Sequence, residues 1–185
     1  MIVQALNFIR SVLIGEGVDA GLGNVADIIS NNGNTPTSAP LVISMINIEE
    51  NRISRDPQNY VRGAGGLVLH KKNPAIHLNL TVLFTSIRQE GGYELSLNDI
   101  QQVIGVFQKQ YTFDSTTTPP VPVGIEKLIL EMMSLNLEQL HQLWSMLGGK
   151  YYPSVAYRVR MLTIDSVSDE EGPLIEEIEA NYKIK

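Results

Sequence analysis

A chain of 185 residues, 43% hydrophobic and 18% charged, is long enough for one buried core and too apolar for wholesale disorder. It has no cysteine, which excludes disulfides and thiol chemistry and suits assembly in the cytoplasm. The net charge of −6 is concentrated at one end: residues 165–185 carry seven acids and two lysines, and the first 164 residues are close to neutral.

Ile2, Leu6, Ile9 and Leu13 recur at helical spacing, which predicts a first helix over 2–14, ended by Gly15 and Gly17. Gln4, Asn7 and Arg10 interrupt its apolar run and no basic leader precedes it, so an amphipathic helix is expected rather than a signal peptide. No run approaches the roughly 18 apolar residues of a membrane span. Residues 21–40 are rich in Gly, Asn, Thr, Ser and Pro and read as a connector with an apolar island at Val25–Ile29. Leu41–Ile53 reads as a strand buried on both faces at its start and led out to solvent by Glu49–Arg52.

Residues 54–75 read as a long mobile loop, broken by Asp56-Pro57 and by Gly63, Gly65 and Gly66, and closed by Pro74. Leu67, Val68 and Leu69 form an apolar patch inside it. His77–Arg88 alternates as a strand, with Ile76, Leu78, Leu80, Val82 and Phe84 on one face. Ser96 with Asp99 three later predicts a capping-box start for a helix. Its stripe is Leu97, Ile100, Val103, Ile104 and Phe107, and it runs to about residue 110. Thr116–Pro122 reads as a stiff extended linker, and Ile125–Met133 as a strand.

Asn136 with Gln139 predicts the start of the last helix, whose stripe is Leu137, Leu140, Leu143, Trp144 and Leu147. Gly148-Gly149 predicts a left-handed C-terminal cap. Pro153 cannot donate to a ladder, so the last strand is expected after it. Val155, Tyr157, Val159 and Met161 share one of its faces, Arg158 and Arg160 the other. The expected fold is two-layer α/β, a mixed β-sheet with helices covering one face. It occupies residues 1–166, followed by an acidic C-terminal extension over 167–185.

The chemistry-bearing motifs are sparse. There is no phosphate-binding G-x-x-x-x-G-K-[ST] run and no G-x-S-x-G elbow. His70, His77 and His141 lack metal-ligand spacing. Glu49 and Glu50 are adjacent on a strand and point to opposite faces, so they do not converge as an acid–base pair. Tyr151 and Tyr152 beside Pro153 are expected to pack under the last helix, with an interface role as the competing reading. No catalytic residue, cofactor or metal is expected. The basic segment 52–72 holds Arg52, Arg55, Arg62, Lys71 and Lys72 against Asp56 alone, too narrow a surface for nucleic acid.

Two stretches carry a resemblance: INIEEN at 46–51 with PAIHLNLTVLF at 74–84, and LNLEQLHQLWSMLGGKYYPSVAYRVRMLTID at 135–165. Together they make roughly residues 1–166 similar to the cap, or tail-terminator, proteins of contractile injection systems, the phage-tail-like particles typified by the antifeeding prophage. The resemblance implies a phage tail-terminator-like fold and a ring, hexameric in related terminators. Such a ring binds the last layer of inner tube and sheath and stops their growth. It implies no catalytic residues. Some members carry a further C-terminal domain, where this chain is expected to have only its acidic extension. The implied partners are copies of the chain itself, the inner tube protein and the sheath protein, with no membrane and no specific nucleic acid. The particle would be assembled in the cytoplasm and then released or retained. The expected interface residues are Arg52, Arg55, Arg62, Leu67, Val68, Leu69, Lys71, Lys72, Arg158, Arg160, Glu170 and Glu171. The segment 52–72 is expected to act as a docking arm, through strand addition by Leu67–Leu69. The competing readings are a baseplate or tube-associated adaptor of the same particle, and a small enzyme built on Glu49, Glu50 and the glycine loop.

Overall fold

The computed structural model describes residues 1–30, 39–51, 60–62, 69–72, 76–88, 92–164 and 167–171. Its elements in chain order are α1 (Ile2–Gly15), β1 (Ala20–Leu22), α2 (Val25–Ser30), β2 (Leu41–Glu50), β3 (Tyr60–Arg62), β4 (Leu69–Lys72) and β5 (Ile76–Ser86), then α3 (Tyr93–Lys109), β6 (Thr112–Asp114), β7 (Lys127–Met133), α4 (Leu137–Met146), β8 (Ser154–Ile164) and β9 (Val167–Glu171). Six strands form the main sheet in the order β1-β2-β5-β8-β7-β6, and three more form a second sheet in the order β3-β4-β9. Only β1 and β2 run parallel in the main sheet, so the sheet is mixed as expected.

Alternation along the strands decides where the core sits. Leu41 and Ile43 of β2, Leu80, Val82 and Phe84 of β5, Leu128 and Leu130 of β7, and Tyr157 and Val159 of β8 face one way. They pack with Phe8, Ile9, Val12 and Leu13 of α1 and with Val103 and Phe107 of α3. Phe84, Phe107 and Tyr157 meet in a ring cluster with centroids 5.2–5.6 Å apart. Edge-to-face geometry at such spacings adds to the gain from burial. On the reverse face Val42, Leu83 and Ala156 pack with Val25, Ile28 and Ile29 of α2 and with Trp144 and Leu147 of α4. A single helical layer was the expectation. The apolar residues of both parities in β2 and β5 instead require a cover on each side, and the short α2 and α4 provide the second one.

Several local expectations hold with their predicted chemistry. Asn136 accepts from the Gln139 backbone N–H at 2.8 Å, and Gln139 returns the bond to the Asn136 N–H at 3.0 Å. Gly148 and Gly149 are left-handed, and the Gly149 N–H reaches the Trp144 carbonyl at 2.7 Å, closing α4. Others are corrected. α3 begins at Tyr93 rather than at Ser96, because Ser96 and Asp99 are buried within it and serve packing rather than capping. Leu97 and Leu137 lie outside the buried stripes, 46% and 86% exposed. Val159 pairs with Leu80 and Leu162 with Leu78, so β8 carries one extra residue between Val159 and Leu162.

The reading of 54–75 as loop is also corrected: β3 and β4 lie within it. β4 pairs with β3 on one side and with β9 on the other, so the acidic extension supplies a strand as well. Local propensity hid these strands. Three or four residues give no usable alternation, and β4 is held on its second side by β9, far away in sequence.

Candidate assembly surface

Helices α2 and α4 cover only one half of the reverse sheet face. On the other half a row of side chains crosses four strands. Asn47 of β2 pairs with Thr81 of β5, Thr81 with Arg158 of β8, and Arg158 with Glu131 of β7. Asn79 and Glu49 form the next row, paired with one another. Arg160 sits opposite Ile129, and its Nη2 reaches Glu131 Oε1 at 3.3 Å. Asn47 Nδ2 donates to Glu49 Oε1 at 3.1 Å. The result is a polar platform that, among the described residues, has no helical cover.

Within this platform Arg158 is half-buried and its Nε, shut off from solvent, has no hydrogen-bond partner. The carboxylate opposite it, Glu131, is held by Arg160 instead. Asn79 Oδ1 on the same face is likewise enclosed and without a donor. An enclosed polar atom left without a bond is costly, about 1–3 kcal/mol. Two of them on one sheet face single that face out among the described polar surfaces.

The second sheet is made of three short strands. β5 and β8 pair at Ile76 with Ile164, and β4 and β9 then pair at Lys72 with Val167 and at His70 with Glu171. The strands β3, β4 and β9 form a narrow ribbon with β4 in the middle.

The expected interface residues fall into three groups. Arg158 and Arg160 share a strand face as expected, with Arg160 already paired inside the chain. Arg62, Leu69, Lys71, Lys72, Glu170 and Glu171 lie on the ribbon. Leu69 belongs to its middle strand and pairs with Arg62 of β3. Arg52, Arg55, Leu67 and Val68 lie outside the described residues, as does the segment 172–185.

Sequence reasoning missed the best-built polar site in the chain. Arg88 at the end of β5 holds Asp99 of α3 with two bonds, Nε to Oδ2 at 2.8 Å and Nη2 to Oδ1 at 2.9 Å. The Ser86 hydroxyl donates to Oδ2 at 2.6 Å. Hydrogen bonding to Asp99 raises the Arg88 pKa further above its ordinary value. It clamps α3 to the sheet. Ser44 plays a similar part for α2, donating to the Gly23 carbonyl at 2.7 Å and accepting the Val25 N–H at 3.1 Å. Among the described residues no group of three or more His, Asp or Glu could hold a metal ion, and no helix is long and apolar enough to cross a membrane. Trp144 is core, 4% exposed, with Tyr151 and Tyr152 at ring distances of 5.7 and 6.1 Å. Tyr151 nevertheless keeps 58% of its surface exposed.

Two solved structures share this fold. One is the sheath/tube terminator of PVC, an extracellular contractile injection system, in its extended state; the TM-score is 0.62 at 14% identity, over 100% of this chain and 64% of that one. The other is the anti-feeding prophage cap, a tube-terminating cap, with a TM-score of 0.62 at 16% identity, over 98% of this chain and 62% of that one. The chain therefore spans a little under two thirds of either cap. No curated protein matches it. The family model of the Pvc16 N-terminal domain matches residues 6–177, from α1 through the acidic strand β9. The resemblance read from residues 46–51, 74–84 and 135–165 is thereby borne out, and the chain belongs to the Pvc16 N-terminal domain family.

Proposed function

We propose that this chain caps a contractile phage-tail-like particle: it closes into a ring, binds the end of the inner tube and sheath, and stops their polymerisation. The observation that carries this is the fold shared along the whole chain with two terminators, from PVC and from the anti-feeding prophage. Membership of the Pvc16 N-terminal domain family over 6–177 supports the same reading. The role is architectural rather than catalytic, and the partners are the tube protein, the sheath protein and further copies of the chain. Ring contacts are heterologous, so each copy needs two unlike surfaces that match. The ribbon and the polar platform are two such surfaces. Six copies around the axis is the arrangement proposed, with assembly in the cytoplasm before the particle is released or retained.

Removing the gene from cells that make the particle tests this. Tubes and sheaths of uncontrolled length are the expected result, seen by negative-stain electron microscopy. A complete loss of particles would point to an adaptor instead, and particles of normal length would overturn the proposal. Images of the purified protein should show six-fold rings.

A further inference from the structure

The stiff segment Thr116–Pro122 leads into a tight turn made by Pro122, Val123, Gly124 and Ile125. The Ile125 N–H donates to the Pro122 carbonyl at 3.0 Å, and Gly124 takes φ 92°, the left-handed third position of a type II turn. Val121 and Ile125 on either side are buried, 9% and 5% exposed, while Val123 between them is 98% exposed. The Val121 N–H is also tied to the Asp114 carbonyl at 3.1 Å. A single exposed apolar residue is ordinary. Val123 differs in being held out on a turn anchored at both ends, so seating it against a partner costs little further ordering.

A cleft of matching character lies along α4. Its volume is about 250 Å³, and its walls include Leu137, Leu140, His141, Trp144 and Tyr151. At roughly 30 Å³ per water that is the volume of about eight waters, room for a valine side chain and part of its turn. The rim is apolar, with Leu137 and Tyr151 both exposed. Trp144 is 4% exposed, yet its Nε1–H has no acceptor, and buried indole N–H groups usually find one. Charge matches as well. Lys150 stands between Gly149 and Tyr151, which both line the cleft, and Glu126 directly follows the turn. Both side chains are exposed, and among the described residues neither is in an ion pair.

A chain cannot fill its own cleft. The turn precedes β7 and packs with the α1 and α3 cluster through Val121 and Ile125. The cleft follows β7, and Trp144 belongs to the cluster on the reverse face. Between them runs β7, Lys127–Met133, about 20 Å long at strand spacing. Turn and cleft therefore lie at opposite ends and on opposite faces of one strand.

We propose that the Val123 turn of one copy seats in the Trp144 cleft of a second copy, with Glu126 of the first beside Lys150 of the second. An incoming turn brings a peptide carbonyl for the Trp144 N–H, and Val123 becomes the buried apolar anchor of the contact. The two surfaces are unlike, so the contact runs head to tail and propagates around a ring without self-pairing. The inference rests on the ring reading above and names a contact that would build the ring.

Absence of native cysteine permits a direct test. One variant carries Val123→Cys and another Leu137→Cys; both positions are exposed, so each variant should fold. The two are joined with a short bismaleimide, as mixed purified proteins and on particles assembled from both. A 123–137 product identified by mass spectrometry is expected. Its absence from both samples overturns the contact, as does an equal yield when Ile14→Cys, exposed at the far end of α1, replaces Val123→Cys. Trp144 is the only tryptophan, so its fluorescence reports on the cleft. Its emission should change as the wild-type protein associates, and Val123→Asp should abolish that change and weaken self-association about tenfold or more. Glu126→Lys should weaken association, and adding Lys150→Glu to the same chain should restore it. Rings that form unaltered with Val123→Asp would overturn this contact and leave the ring reading standing. Particle length on gene removal reports on the capping role alone.

Discussion

At the scale of single residues, the Arg88–Asp99–Ser86 cluster joins sheet and helix, and its loss should be measurable. Asp99→Asn keeps the shape but leaves a guanidinium without its charge partner. A destabilisation of about 2–3 kcal/mol is expected in urea unfolding. A change below about 0.5 kcal/mol would show that solvent satisfies Arg88 equally well. Asp114 gives a pH signature. Its carboxylate accepts from the Thr116 hydroxyl at 2.6 Å and from the Thr116 and Thr117 N–H groups at 2.8 and 3.1 Å. These bonds, the Thr116 hydroxyl first, lower its pKa below the ordinary carboxylate value. Below that ordinary value the unfolded state binds more protons than the folded one, so stability rises with pH through this window. The contribution is present above the unfolded pKa and is lost as pH falls through the lowered folded value. Asp114→Asn should flatten that part of the acid limb, and an unchanged limb would remove Asp114 from the account. The sequence hid the Asp99 role because Ser96-x-x-Asp99 imitates a cap. What makes it a clamp is Arg88, on another element and brought close only by tertiary packing.

Elements were legible where one face is apolar and the caps are chemical. The stripe of α1 and the Asn136–Gln139 box with Gly148-Gly149 on α4 follow from side-chain spacing and backbone preference, which are local quantities. Asn136→Ala should cost about 1 kcal/mol. Gly148→Ala should cost more than Gly149→Ala. Both positions have positive φ, 119° and 76°, but only at Gly148 would a Cβ meet another group, Ile29 Cγ2 at 3.0 Å. Equal melting temperatures for the two alanine variants would show that packing against α2 does not matter there. β1, β3, β4, β6 and β9 were not legible as strands, since each is five residues or fewer and owes its form to its neighbour. The platform was half legible. Arg158 and Arg160 on one strand face follow from a period of two. Which of them is already neutralised depends on Glu131, and that needed the register of β7 on β8.

For the whole molecule, the question is whether the ribbon belongs to the core or is carried by it. The main sheet takes its last pair at Ile76 with Ile164, and among the described residues both apolar clusters are built from residues before Arg160. A protein ending at residue 166 retains all of these, so it should keep the main sheet. It would lose β9, so the amides of Leu69–Lys72 would lose a flanking strand while those of β5 keep both of theirs. Hydrogen exchange should then show faster exchange confined to 60–62 and 69–72, with a melting temperature within a few degrees of the full chain. A cooperative loss of structure throughout the main sheet would mean that the ribbon stabilises the core.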